Sequence, residues 1–243
     1  MGVWRTTVAP GLECSQKAPG PGSATNRDSA RWTKRVASGG FSPNVDQLRP
    51  GPVAALRTCR TMLLMPLAVT LCFDPPSAAL LQDWWRTLAE ANIDCDRHRL
   101  GYAPHVTLAI YPDDAPADQM GAAIERIAPG WHALPVTLAG FGIFPGATSI
   151  LWAAPVVTSE LLDRHRAMQA ALPGVPVHPH YRPGSWVPHV TLSGALADPG
   201  RALAALIPRW QPARLLLSRL ELVRFRPVEV LKSHTLKHHA AQG

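Results

Sequence analysis

The sequence spells one five-residue pattern twice, and each copy carries a histidine and a threonine two positions apart. Residues 104–108 and 188–192 both read Pro-His-Val-Thr-Leu. The candidate catalytic residues are therefore His105 and His189, with Thr107 and Thr191 beside them. A repeated pattern of this kind is the strongest functional signal in the chain.

Two imidazoles and two hydroxyls can catalyse displacement at phosphorus without a metal ion. Imidazole titrates near pH 6.5, so one histidine can accept a proton while its protonated partner donates one. The threonine hydroxyls are neutral donors that can hold phosphoryl oxygens and stabilise charge in the transition state. This set suits a phosphodiester whose attacking and leaving oxygens lie on opposite sides of one groove.

The motifs lie in runs of strand-forming residues, 106–111 and 186–193. Side chains alternate between the two faces of a strand, so the histidine and threonine of one copy point the same way, about 6 to 7 Å apart. Val106, Leu108 and Ile110 are expected on the opposite, core-facing side. Each strand would then present one apolar face and one polar face, and the polar faces could line one groove.

A single His-x-Thr is a weak signal, because a lone histidine on a strand is more often a hydrogen-bonded structural residue than a catalyst. Duplication favours function, although an ancient duplication could also preserve both copies for reasons of fold. Other familiar patterns are missing: the sequence has no G-x-S-x-G, no phosphate-binding G-x-x-x-x-G-K-[ST] loop and no H-E-x-x-H. His178 and His180 could be part of a metal site, but no cysteine or carboxylate follows at ligand spacing.

The hydrophobic pattern between and around the motifs predicts an α+β fold of two similar halves. A strand reaching Cys72 leads to a helix that Asp74 and two prolines begin and that ends near Ala91. A polar loop, the first motif strand and a helix opening at Pro116 follow. The second half is predicted to contain strands 135–143 and 149–157, helix 158–172, the second motif strand, a helix capped at Asp198, and strands 214–225 and 228–236.

The basic charge is concentrated before the patterned region. The chain has 243 residues and a formal net charge of +7. Residues 1–61 hold nine basic and three acidic side chains, whereas residues 62–243 are close to neutral. The first 61 residues also lack any sustained period, which predicts a disordered basic tail, or a translation start at Met62 or Met65. Residues 62–237 are expected to fold, with a short C-terminal tail from 238 to 243.

Cysteine usage and hydropathy indicate a cytoplasmic protein. The four cysteines show neither C-x-x-C spacing nor the framework of a secreted domain, which favours a reducing compartment. No stretch approaches the roughly 18 apolar residues of a membrane span, so no membrane association is expected.

The paired motifs in a duplicated β-α-β frame resemble the 2H phosphoesterase superfamily. The lead-in to the second motif, residues 181–189, is similar to the bacterial 2′-5′ RNA ligase branch of that superfamily. The resemblance covers residues 62–237 and implies a two-lobed LigT-like fold, with antiparallel sheets flanking a central groove. The basic tail has no place in that pattern.

The resemblance also implies an activity and roles for residues. It implies a metal-independent enzyme acting on 2′,3′-cyclic or 2′-5′ phosphodiester ends of RNA or nucleotides. No cofactor is expected, no stable protein partner is implied, and a monomer is expected. His105 and His189 would be the acid/base pair, and Thr107 and Thr191 would bind the phosphate. Tyr181, Arg182 and Trp186 are candidates for substrate binding, where an aromatic ring could stack on a base and a guanidinium could pair with a phosphate. Trp186 could equally be core and Arg182 solvated.

Two other functions stay open from sequence alone. One is a non-catalytic binder of RNA ends or nucleotides that keeps the groove. The other is a phosphodiesterase for a cyclic phosphate that is not RNA. The near-neutral charge of residues 62–243 argues against a long nucleic-acid footprint and favours a short end or a small nucleotide.

Overall fold

The structure, a computed structural model, describes residues 66–225 and 227–238. The predicted basic tail, both candidate start methionines and all but one residue of the predicted C-terminal tail lie outside the described residues. Within the described ranges, seven strands form one antiparallel sheet with the order β2-β1-β6-β3-β4-β5, and β7 pairs with β6. The strands are β1 (Leu67–Phe73), β2 (His105–Tyr111), β3 (Leu134–Phe144), β4 (Ser149–Pro155), β5 (Val190–Leu196), β6 (Ala213–Arg224) and β7 (Glu229–Thr235).

Strand β6 joins the two halves of the sheet. At 12 residues it is the longest strand, and β1 pairs along residues 217–224 of one edge. On the other edge, β3 pairs with residues 213–217 and β7 with residues 219–224. The predicted α+β fold with antiparallel strands is confirmed. The strands of the two lobes form one sheet, because β6 is long enough to pair with strands of both. Strands β2 and β5, which carry the motifs, become the two terminal strands of the sheet.

Five α-helices of the described ranges cover the sheet, and side-chain caps fix the starts of three of them. They are α1 (Pro75–Glu90), α2 (Asp96–Leu100), α3 (Ala117–Ile127), α4 (Ser159–Ala171) and α5 (Pro199–Leu206). Asp74, Thr158 and Asp198 accept hydrogen bonds from backbone N–H groups in the first turns of α1, α4 and α5. Such a cap contributes about 1 kcal/mol of helix stability, which explains why the sequence predicts these starts well.

Helix α2 lies where the sequence predicts only a polar loop. Its five residues are too short to show a helical period. Gly101 ends it with a φ of 69°, in the left-handed region that glycine occupies without steric cost.

Each terminal strand is covered by helices from the other half of the chain. Helices α1 and α2 precede β2 in sequence but pack on β5, whereas α4 packs on β2. Strand β1 is buried along its whole length, and Trp84 of α1 packs with Phe141 and Trp210 at ring-centroid distances of 5.7 and 5.5 Å. Full burial of a large apolar side chain contributes about 1.5–3 kcal/mol. Burial in the core therefore stabilises the packing of these helices on the strands of the other half.

The predicted start of the second motif strand is wrong. The sequence places it at Trp186, but β5 begins at Val190, so His189 lies just before the strand. The preceding residues are in a turn, in which the backbone N–H groups of Ser185 and Trp186 both donate to the carbonyl of Arg182. Pro188 then lacks the N–H that a strand ladder needs.

The described helices include none with both the length and the apolar character needed to cross a membrane.

Substituting Gly142 by alanine is expected to destabilise the second half of the sheet. A Cβ at this position would overlap the indole ring of Trp152, which stacks on Phe144 at 5.0 Å. Overpacking of this kind costs about 1–3 kcal/mol. The free energy of unfolding in urea should fall by that amount, while Gly140→Ala on the same strand, where nothing lies within 4 Å of a new Cβ, should be near wild type. Equal stability of the two variants would contradict the assigned packing of Trp152.

Candidate active site

Each motif is followed by a β-bulge at the same position. In β2, Thr107 pairs with Thr70 and Ala109 pairs with Val69, which leaves Leu108 as the extra residue. In β5, Thr191 pairs with Trp152 and Ser193 with Leu151, and Leu192 is the extra residue. A bulge moves every later side chain to the opposite face of the strand. The two halves therefore share the backbone geometry after the motif as well as the five motif residues.

The bulge overturns the expectation that Ile110 faces the core. Leu108 and Ala109 are both fully buried, and Ile110 instead lines a groove together with His105 and Thr107. Gly194 occupies the equivalent position after the second bulge and lines the same groove. The alternation that the sequence suggests holds only up to the bulge, because one extra residue inverts the phase.

Both histidines and both threonines line one groove. Its volume is about 270 Å³. The other residues that line it include Thr70, Arg97, Leu100, Tyr102, Ile110, Ile150, Tyr181, Gly194, Val223 and Phe225. The structure thus brings together the four residues of the two motifs, which are far apart in sequence, because the terminal strands β2 and β5 contact each other.

The two imidazole rings are held by equivalent hydrogen bonds. Nδ1 of His105 lies 2.8 Å from the carbonyl oxygen of Ala103, and Nδ1 of His189 lies 2.8 Å from that of Val187. A carbonyl can only accept, so Nδ1 carries the proton of each neutral ring and Nε2 keeps its lone pair. The Tyr102 ring packs against His105 at 4.9 Å, and the Phe144 ring packs edge-on against His189 at 5.0 Å.

Burial favours the neutral form of both histidines. It lowers the pKa of His105 to about 4, and the positive charge of Arg97 acts in the same direction. Burial and Arg97 also lower the pKa of His189 below its ordinary value. In the free protein at neutral pH, both Nε2 atoms are therefore proton acceptors.

Comparison with known families identifies the fold. The family model described as the 2′-5′ RNA ligase superfamily matches residues 73–229. This range is more than half of the chain and contains both motifs. The chain belongs to the 2′-5′ RNA ligase superfamily. The predicted membership among the 2H phosphoesterases is confirmed.

Several solved structures are similar to this chain at low sequence identity. TT0787 of Thermus thermophilus is 17% identical, with a TM-score of 0.51 over 72% of this chain and 100% of that chain. Escherichia coli LigT complexed with 3′-AMP is 16% identical, with a TM-score of 0.48 over 71% and 98%. Usb1 of Kluyveromyces marxianus is 15% identical, with a TM-score of 0.42 over 72% and 97%. A search of curated proteins found no match.

Two groove residues of this superfamily member carry no signal in the sequence. Arg97 lies on the unpredicted helix α2, and Tyr102 follows that helix. No local pattern marks either residue. Arg97 reaches the groove through the packing of α2 on β5, and Tyr102 is held there by hydrogen bonds with Thr70 and Glu221.

Tyr102 belongs to a polar network behind His105. Its hydroxyl donates to the Glu221 carboxylate at 2.9 Å and lies 2.7 Å from the Thr70 hydroxyl. Glu221 also accepts from Arg219, Ser233 and the Cys72 thiol at 3.0, 3.0 and 3.3 Å. Burial alone would raise the pKa of Glu221, but the hydrogen bonds from Tyr102, Arg219 and Cys72 and the charge of Arg219 lower it below its ordinary value, so the carboxylate stays ionised. Burial beside this charge raises the pKa of the Cys72 thiol to about 12, so Cys72 is not a nucleophile here.

The three loop residues predicted to bind substrate have different surroundings. Tyr181 lines the groove, where burial raises the pKa of its phenol to about 12. Arg182 is exposed and does not line the groove. Trp186 stacks on the buried His165 at 4.1 Å, and its indole N–H donates to the carbonyl of Thr107 at 3.0 Å. The structure therefore brings only Tyr181 into the groove.

Trp186 has a counterpart in the other half of the protein. The indole N–H of Trp85, on α1, donates to the carbonyl of Thr191 at 3.1 Å. Each motif threonine thus has its carbonyl bound by a tryptophan from the opposite half. These carbonyls lie on terminal strands, where no further strand among the described residues supplies a donor.

The described residues contain no group of three or more histidine, cysteine, aspartate or glutamate side chains that could hold a metal ion. His178 and His180 lie with their ring centroids 5.1 Å apart but without a further ligand of these types in the described part of the chain.

Replacing either tryptophan by phenylalanine is expected to destabilise the protein by about 1–3 kcal/mol, because a part-buried carbonyl loses its donor. Trp85→Phe and Trp186→Phe should both lower the free energy of unfolding in urea. Trp152→Phe is the matched control, since the buried Nε1 of Trp152 has no hydrogen-bond partner among the described residues. A larger loss in the control than in the two test variants would contradict the role of the crosswise hydrogen bonds.

Proposed function

We propose that this protein is a metal-independent phosphodiesterase that acts on 2′,3′-cyclic phosphate or 2′-5′ phosphodiester ends of RNA or nucleotides. One observation carries the proposal most directly. Two histidines line one groove, and in each of them Nδ1 hydrogen-bonds to a backbone carbonyl. Both Nε2 atoms are therefore available for proton transfer. A protein that only binds phosphate needs positive charge and donors, whereas this pair is neutral and suited to accepting and returning protons.

The two histidines are proposed to divide the reaction between them. His105, whose pKa is lowered to about 4, accepts the proton of the attacking water as its oxygen bonds to phosphorus. The pKa of His189 is lowered in the free protein, so its protonation in the reactive complex requires the negative charge of the bound phosphate. Protonated His189 then donates to the leaving oxygen as the P–O bond breaks. Proton exchange with solvent then restores both rings. The same groups with exchanged roles would run the reverse reaction.

The threonines and the groove walls are proposed to bind the rest of the substrate. Hydroxyls of Thr107 and Thr191 can donate to the non-bridging phosphoryl oxygens as charge develops on them. Tyr181 offers an aromatic face beside the phosphate position, and the apolar side chains of Ile110, Ile150 and Phe225 can contact a nucleobase or ribose. A volume of about 270 Å³ favours a single nucleotide or a chain end over a long strand.

We also propose a cellular location, an assembly state and domain boundaries for this protein. The buried thiol of Cys72 is not in a disulfide and donates a hydrogen bond to the Glu221 carboxylate, which supports a reducing, cytoplasmic setting. The proposed functional unit is the 62–237 domain acting as a monomer. RNA ends or small cyclic nucleotides are its proposed partners.

The proposed pair predicts a bell-shaped pH dependence of kcat/KM on the acidic side of neutrality. Below about pH 4, His105 becomes protonated and cannot accept a proton. Above the pKa of His189, which is lowered from 6.5, the proton donor is lost from the free enzyme. The limbs belong to the coupled pair. A pH–rate profile on 2′,3′-cyclic nucleotides with EDTA present measures it, and an optimum well above pH 7 would contradict the assignment.

Alanine at His105 or His189 should each lower kcat/KM about 10²-fold or more, and the double variant should lose much less than the product of the two. Thr107→Val and Thr191→Val should lower the rate but leave both pH limbs in place, since hydroxyls do not titrate there. His98→Ala, an exposed histidine outside the groove, is the control.

A near wild-type rate for either the His105 or the His189 variant would leave a nucleotide-binding module as the function. Loss of activity on chelation with rescue by Zn²⁺ would instead implicate His178 and His180.

A chain that begins at Met62 should be as soluble and as active as the full chain, because residues 1–61 have too few apolar side chains to form a core. Sedimentation of the expressed protein and turnover of a cyclic nucleotide measure both properties. Precipitation or a large loss of kcat/KM would show that the boundary at residue 62 is wrong.

A further inference from the structure

We propose, building on the function above, that Arg97 binds the reacting phosphate and that Asp94 and Gly194 position it for this role. Arg97 lies outside both copies of the repeated motif. It reaches the groove from helix α2, which comes from the first half of the chain and packs on the second motif strand.

The groove needs a cation, and Arg97 supplies it. Among the described residues that line the groove, Arg97 is the one with a permanent positive charge. A phosphodiester anion that enters a half-buried groove loses hydration, and a guanidinium replaces it with charge-assisted hydrogen bonds in a planar fork. The carboxylate of Asp96 lies 3.8 Å from Nε of Arg97.

Gly194 makes room for the guanidinium. A Cβ at position 194 would lie 3.1 Å from Nη2 of Arg97 and 3.9 Å from its Cζ. The bulge at Leu192 turns position 194 toward the groove, so a side chain there would crowd the guanidinium and require it to shift by a few tenths of an ångström. The equivalent position in the first motif is Ile110, which carries a full side chain. The two copies of the repeat therefore differ at the position against which Arg97 packs.

Asp94 fixes the start of α2 to the bulged strand. One of its carboxylate oxygens accepts hydrogen bonds from the hydroxyl of Ser193 and, at 3.3 Å, from the backbone N–H of Gly194. Its other oxygen accepts from the backbone N–H of Asp96 at 2.7 Å. The Asp94 carboxylate thus connects Asp96, next to Arg97 in the chain, to Gly194, which lies against the guanidinium.

The charge of Arg97 acts on both histidines, which agrees with a position near the phosphate site. It lowers the pKa of His105 and that of His189. The other charged groups that act on His105 are His189, which lowers its pKa, and Glu221, which raises it. A bound phosphate anion would offset the guanidinium charge and so favour protonation of the histidine that acts as acid.

The test uses inorganic phosphate as the probe, so it does not depend on any substrate or on turnover. Phosphate affinity and the pKa of both histidines are measured by NMR titration of the imidazole signals in the full chain. Arg97→Gln should weaken phosphate binding about 10- to 100-fold, the range of one or two charge-assisted hydrogen bonds. It should also raise the pKa of both histidines. Arg97→Lys should keep both pKa values close to wild type while binding phosphate more weakly, because lysine lacks the fork.

Two further variants separate positioning from charge. Gly194→Ala keeps every charge but crowds the guanidinium, so it should weaken phosphate binding. Arg99→Gln, which removes an exposed arginine on the same helix that does not line the groove, should leave affinity and both pKa values unchanged. Wild-type phosphate affinity and unchanged histidine pKa values in a folded Arg97→Gln protein would overturn the proposal.

Failure of this inference can be told apart from failure of the proposed activity. If the wild-type protein turns over no cyclic phosphodiester but Arg97→Gln still loses phosphate affinity, the phosphate site stands and the proposed reaction falls. If the wild type turns over substrate and Arg97→Gln matches it in phosphate affinity, histidine pKa and kcat/KM, the reaction stands and the role of Arg97 falls.

Discussion

The exposed edges of two terminal strands are the constraint on which the groove depends. Strands β2 and β5 end the sheet, and their outer carbonyls need donors that no neighbouring strand in the described part of the chain provides. Trp186 supplies one to Thr107, and Trp85 supplies one to Thr191, each from the opposite half of the chain. The exchange covers both edges and holds the two strands against each other. A groove with residues of both motifs follows from this arrangement.

The repeated bulge converts a duplicated sequence into a shared site. Up to the bulge, ordinary alternation directs the histidine and threonine of each strand to the groove and Leu108 and Leu192 to the core. The bulge after the threonine then returns positions 110 and 194 to the groove. The next groove-facing positions differ, with isoleucine in one half and glycine in the other. The near-symmetric frame therefore holds an asymmetric site, in which one cation reaches the glycine side. Asymmetry of this kind suits a reaction whose two histidines act in opposite directions.

Burial sets the electrostatics of the pair. Removing an imidazole from water disfavours its charged form, so each ring stays neutral until an anion compensates. The Nδ1 hydrogen bonds fix the tautomer, and the Tyr102 ring restricts the position of His105. Behind Tyr102, the ionised Glu221 is satisfied by several donors, which prevents it from competing for protons in the groove. In the proposed reaction, the site would gain its positive charge together with the substrate.

The sequence by itself determined the motif residues, the order of the long elements and most of their ends. Local signals sufficed there: alternation along strands, apolar stripes along helices, and capping residues such as Asp74 and Asp198. The tertiary structure decided what local patterns do not encode. Pairing across strands placed the bulges that turned Ile110 into the groove, and packing between halves put Trp186 against a carbonyl and left Arg182 in solvent. Arg97 came from a helix of five residues, too short to show a period, and its position depends on contacts made with a strand nearly a hundred residues later in the chain.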